Sequence, residues 1–192
     1  MERPGSGDLR RSPPDGPVCG VIASRALARG AWVAPANETL RGVLALTPPI
    51  DPGFWPTLLE AQVNVVRQEA RGFTFLSADT LSGDDDLRPI NVRRLMSLLR
   101  RMALRLGSEY VFEPNGEVLR RTVERAFGGM LGDMFLRGAF AGATPAASYF
   151  LTSAAQEEKF IVEIGVAPSR PLTFLTVRLV QNPDHTLVVQ ET

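Results

Sequence analysis

The sequence predicts an α+β (mixed α/β) domain in which one sheet, drawn from early short strands and late strands, packs against two long amphipathic helices. Two central segments carry apolar residues at helical spacing, and the last third is rich in β-branched and aromatic residues. Strand and helix signals do not alternate regularly, and no repeat of fixed period exists.

The elements follow in chain order. Met1–Pro17 is rich in Pro, Gly, Arg and Asp and reads as a flexible arm. Val18–Arg29 predicts a short helix ending at Gly30, with Cys19 among Val18, Val21 and Ile22 expected to be a small buried residue. After a turn-rich loop around Trp32, Gly42–Leu46 predicts a short strand, Pro56–Val63 a brief helix, and Asn64–Arg67 with Gly72–Leu76 a strand pair around a turn. Gly83–Asp86 is expected to be an exposed loop.

The two helices are the clearest local signals. In the first, Val92, Leu95, Met96, Leu99, Met102, Ala103 and Leu106 form an apolar stripe, with Asn91 as N-cap and Gly107 as C-cap. In the second, Leu119, Val123, Ala126, Phe127, Met130, Leu131 and Met134 repeat the pattern between Asn115 and Gly138. Gly128, Gly129 and Gly132 each cost roughly 1 kcal/mol inside a helix, which predicts close approach of another backbone there. Ala147–Thr152, Phe160–Val166, Leu172–Val180 and His185–Gln190 predict the closing strands.

Composition narrows the function. The chain has 192 residues, 44% apolar and 22% charged, enough for one ordinary domain with a core. Its formal net charge of zero gives no global field for nucleic acid or an anionic membrane, and neither is expected as a partner. No run of about 18 apolar residues predicts a transmembrane helix, and Met1–Pro17 has no apolar core of a secretory signal.

No catalytic constellation stands out. His185 is the only histidine and sits in a predicted turn, Asn182-Pro183-Asp184-His185, with no serine in a nucleophile-elbow context. One His and one Cys cannot build the usual nitrogen–sulfur metal sites. Asp84–Asp86 lacks the spaced oxygens and closing glutamate of a calcium loop. No phosphate-binding motif is present. The expectation is therefore a protein that is not an enzyme, with no cofactor and no metal.

The strongest electrostatic feature is the first long helix. Arg93, Arg94, Arg100, Arg101 and Arg105 lie on it with no acidic residue between Asn91 and Leu106. A solvated helix ordinarily interleaves glutamates at i+4 to relieve such repulsion. Carboxylates elsewhere in the chain, or an acidic protein partner, are expected to answer these arginines.

Several segments resemble the contractile tail sheath family. Phe112-Glu113-Pro114-Asn115, between the two helices, resembles that family's FEPN signature. Asn91-Val92-Arg93-Arg94-Leu95, Gly138–Pro145, Val162–Pro168 followed by Arg170-Pro171, the Gly30–Gly42 entry and Ala78-Asp79-Thr80-Leu81 resemble further family segments in the same order. The match runs from about Val18 to Val180. Asp79 replaces the usual arginine of its segment, and Leu172-Thr173-Phe174 replaces the family's Ala-Glu-Phe.

The resemblance implies a structural subunit that stacks around an inner tail tube, touches copies of itself or other sheath subunits, and meets a baseplate. Residues 18–180 would be the sheath C-terminal-like domain, 1–17 an N-terminal arm and 181–192 a C-terminal arm or strand. Typical members carry outer domains before this region, and only Met1–Pro17 precedes the match. The resemblance also implies strand exchange between subunits, for which Phe174, Leu175, Val177, Leu179, Leu187, Val188 and Val189 are the candidates. Assembly in the bacterial cytoplasm, within a phage tail or injection particle, would follow. The alternative is a non-polymerising sheath-like adaptor or a baseplate or tail-end binding module.

Overall fold

The computed structural model describes residues 11–114, 116–156, 159–168 and 174–191. Asn115, the Arg170-Pro171 pair, Leu172-Thr173 and the first ten residues of the expected arm lie outside the described residues. The chain forms two compact units, Met1–Arg93 and Arg94–Thr192.

The first unit is built on a small antiparallel sheet. Helix α1, Asp15–Arg29, begins inside the segment expected to be an arm and ends at Gly30, whose φ of 105° suits glycine and whose N–H donates to the Ala26 carbonyl. Val18 and Val21 pack against a cluster of Leu40, Phe73 and Phe75. Cys19 is exposed, which corrects the expectation of burial. One residue on from Val18 is about 100° round a helix, and α1 turns only a narrow face inward.

Strand β1 is only Thr39–Leu40. The strand expected at Gly42–Leu46 does not form. The chain turns at Arg41-Gly42, where Gly42 has φ 73°, and Val43 and Leu46 then pack on the cluster without a ladder. A 3-10 turn, Pro52–Phe54, leads into α2, Trp55–Glu60. Strands β2, Val66–Glu69, and β3, Gly72–Phe75, form the expected hairpin, with sheet order β1-β3-β2. Asn64 ties the next loop to it: its Oδ1 accepts from the Asp79 N–H and the Ser77 hydroxyl, and its Nδ2 donates to the Asp79 carbonyl.

The second unit carries all but the first turn of one long helix, the whole of the other, and a second sheet. Helix α3 spans Ile90–Ser108, so Asn91 and Gly107 lie inside it and are not its caps. Gly107 is needed for packing: Leu179 Cδ2 stands 2.7 Å from where a Cβ would project. Val92, Leu95, Met96, Leu99 and Ala103 are buried, as the stripe predicts. Helix α4, Glu117–Leu136, buries Leu119, Val123, Phe127, Leu131 and Met134, and Gly138 follows it with φ 74°. Among the described residues, the close backbone expected over its glycines is absent. A Cβ at Gly128 or Gly129 would meet nothing within 4 Å, and at Gly132 only the Tyr149 hydroxyl at 3.8 Å.

A short helix α5, Pro145–Ser148, is capped by Thr144 and replaces the start of the expected strand. Strands β4, Tyr149–Gln156, β5, Lys159–Val166, β6, Leu175–Gln181, and β7, Leu187–Glu191, follow. They form an antiparallel meander in the order β4-β5-β6-β7. The α+β class is thus as expected, but early and late strands lie in separate sheets. β5 is buried on both faces, consistent with its central place. Ser153 on β4 donates to Glu124 of α4 at 2.6 Å, fixing that helix to the sheet. On the face pointing the other way from Ser153, Gly165 leaves room for the Phe150 ring, which contacts Phe174 at 5.4 Å.

Candidate assembly surfaces

The residues expected to exchange strands divide into two groups. Leu175, Val177 and Leu179 are buried on β6, which is hydrogen-bonded to β5 on one side and β7 on the other. With both ladders filled, β6 is core in this fold and not a free arm. Phe174, partly exposed, precedes it and rests on Phe150.

Leu187, Val188 and Val189 lie on β7, the sheet's last strand. The Asn182 N–H donates to the Thr186 carbonyl, so the ladder places Val180 and Val188 in the next hydrogen-bonded pair. By alternation, Leu187 and Val189 turn their N–H and C=O groups away from β6, toward the open edge. Val188 is exposed, whereas Leu187 and Val189 are half-buried. Such an edge is a template for another strand.

The Phe112-Glu113-Pro114 segment makes a corner between α3 and α4. The Glu113 N–H donates to the Tyr110 carbonyl, and Phe112 is 84% exposed, resting on the His185 ring at 5.3 Å. The preceding carbonyl, of Val111, accepts from Gln181 Nε2 at 2.7 Å and lies 2.8 Å from His185 Nδ1. A carbonyl only accepts, so Nδ1 carries the hydrogen. The corner therefore clamps both ends of the β6–β7 connection. Sequence reasoning missed Gln181 and Val111, because nothing local marks a contact across so many residues.

Of the five α3 arginines, Arg100, Arg101 and Arg105 are exposed, while Arg93 and Arg94 are half-buried. At about 100° per residue, Arg94, Arg101 and Arg105 fall within roughly 40° of one another, opposite the buried stripe. Arg93 and Arg100 lie on the flank. Among the described residues Arg100, Arg101 and Arg105 form no ion pair. Pairs elsewhere are ordinary, such as Glu117, whose carboxyl is held below its usual range chiefly by its hydrogen bond from Arg120 and then that from Arg121.

In the first unit a groove of about 240 Å³ is lined by Leu40, Val43, Leu46, Ile50, Val65 and Val66 among other residues, none of them titratable. It offers no acid, base or nucleophile pair of the kind a catalytic site needs. No described group of His, Cys, Asp and Glu is arranged to hold a metal ion. No helix among the described residues is long and apolar enough to cross a membrane.

This fold is that of the sheath-type proteins of contractile injection systems. The chain is similar to one in the anti-feeding prophage baseplate, at 31% identity over 83% of this chain and 47% of that one, with a TM-score of 0.77. A chain in the contracted sheath complex of PVC, an extracellular contractile injection system, matches at 30% identity over 83% and 48%, with a TM-score of 0.77. One in the contracted helical sheath of the anti-feeding prophage matches at 31% over 84% and 48%, with a TM-score of 0.76. The resemblance to the contractile tail sheath family thus extends from motifs to three-dimensional structure. The chain spans about half the length of these solved relatives. No protein-family model matches the chain, and no curated protein does.

Proposed function

We propose that the chain is a structural subunit of a contractile sheath, or a sheath-like component, that assembles with copies of itself or related subunits around an inner tube. The similarity to sheath and baseplate chains at 30–31% identity, across more than four-fifths of this sequence, carries the reading. The outer edge of β7 is the point at which a neighbour's strand would add, with backbone hydrogen bonds supplying affinity. The arginine face of α3 would meet an acidic neighbour. The chain acts by assembly and not by catalysis, within a tail or injection particle.

Electron microscopy of the purified chain, alone and with its tube protein, tests this. Rings, tubes or decorated tubes are expected. Dispersed monomers in both preparations would overturn it. Similarity to chains in two baseplate structures favours a second reading, a component placed at the tail end. In that case only tube ends would be decorated.

A further inference from the structure

We infer that the acidic neighbour of the α3 arginine face is the Asp84–Asp86 loop of a second copy of this chain, an inference that rests on the assembly reading above. Arg101 and Arg105 stand four residues apart on the outer face of α3, both exposed, with no ion pair among the described residues. Like charges at this spacing repel unless an anion is supplied. The chain carries as many acidic as basic residues, 21 of each, so the answering charge exists within the same sequence.

Among the described residues, the acidic run that is both exposed and contiguous is the loop before α3. It is shaped, not slack: the Asp84 N–H donates to Ser82 Oγ, and the Asp86 N–H donates to Asp84 Oδ1. Thr80 Oγ1 donates to the Arg88 carbonyl at 2.9 Å and closes the loop's base. Asp85 is taken by Arg88, while Asp84 and Asp86 face no cation among the described residues. Two carboxylates on alternate residues of a braced loop thus offer a pair of anions to two arginines one helical turn apart, whose Cβ atoms stand about 5–6 Å from each other. Guanidinium favours carboxylate partners for geometric as well as electrostatic reasons.

The contact joins two different surfaces, so it is heterologous. Repeated, such contacts generate a ring or a helix instead of a closed two-fold dimer. That is the symmetry a sheath needs.

Charge reversal tests it. The variants R101E/R105E and D84R/D86R should each associate roughly five- to tenfold more weakly than the unaltered chain, with unchanged circular dichroism and melting. A chain carrying all four substitutions restores complementarity and should recover association. A fourfold variant no better than the separate pairs would overturn the inference. So would loss of tube decoration by R101E/R105E without this rescue, which would place the acid on the tube. Cysteine trapping reads the contact even if no particle forms. In a Cys19→Ser background, R101C mixed with D84C should cross-link several-fold faster than V118C mixed with D84C. Equal rates would overturn the contact, whereas cross-linking without rings or tubes would sink only the sheath reading.

Discussion

His185 donates through Nδ1 to the Val111 carbonyl while holding a backbone φ of 62°, the left-handed conformation more often left to glycine. It follows Asn182-Pro183-Asp184, and its N–H returns to the Asn182 carbonyl, the three-residue hairpin pattern in which the left-handed position forms a bulge. The side-chain hydrogen bond offsets the backbone cost. His185→Ala should lower stability by about 1 kcal/mol through the lost bond. His185→Gly should sit close to the unaltered chain, because relief at φ compensates for that loss. Urea unfolding of the two variants measures the difference. Equal destabilisation would deny the hydrogen bond its role.

Glycines of the second unit should respond to alanine with opposite signs. At Gly165 a Cβ would stand 2.0 Å from the Phe150 ring, inside a buried strand, and alanine should cost about 1–3 kcal/mol. At Gly128 and Gly129 nothing lies within 4 Å, and alanine should stabilise α4 by roughly 0.5–1 kcal/mol each. Thermal melts of G165A and G128A/G129A should move in opposite directions.

Val189→Pro separates folding from strand addition. The Val189 N–H faces the open edge, so proline removes a donor that β6 does not use. A folded chain with its melting temperature little changed, but without rings or tubes in the microscope, is the expected result. Assembly indistinguishable from the unaltered chain would rule out addition at β7.

Acid should weaken the start of α4. Hydrogen bonds from Arg120 and Arg121 hold the Glu117 carboxyl below its usual range. A carboxylate whose pKa is depressed by folding stabilises above its unfolded value, and that contribution is lost as pH falls through the folded one. Glu117→Gln should therefore be less stable than the unaltered chain at neutral pH. The gap should close below the ordinary glutamate range, and should narrow in high salt because the pairs are exposed. A gap constant with pH would contradict this.

The helices α3 and α4 were legible because their apolar stripes are long and each meets a single core face. Their ends were not. Gly107 looks like a C-cap, yet its missing side chain makes room for Leu179 of β6, a fact about packing far along the chain. Local pattern also placed the late strands within a few residues, and it identified the arginine face and the terminal strand. It could not divide the strands between two sheets, since pairing partners are chosen by long-range burial. Nor could it see β1, whose two residues carry no period, or the clamp on Val111, whose partners Gln181 and His185 stand 70 and 74 residues away. Cys19 misled because apolar neighbours on a helix lie on different sides of it.

The meander order of the second sheet has a kinetic consequence. Each ladder from β4 to β7 joins strands that are neighbours in the chain, so contact order there is low and closure of each hairpin is fast, on the order of 1–10 μs. Among the described residues β7 is held by one ladder, across the five-residue connection 182–186, and can peel and re-pair without breaking any other strand pair. The clamp on Val111 then sets how far such peeling spreads: loss of β7 alone leaves Gln181 anchored, so opening stops at the end of β6 and the buried centre of the sheet stays closed.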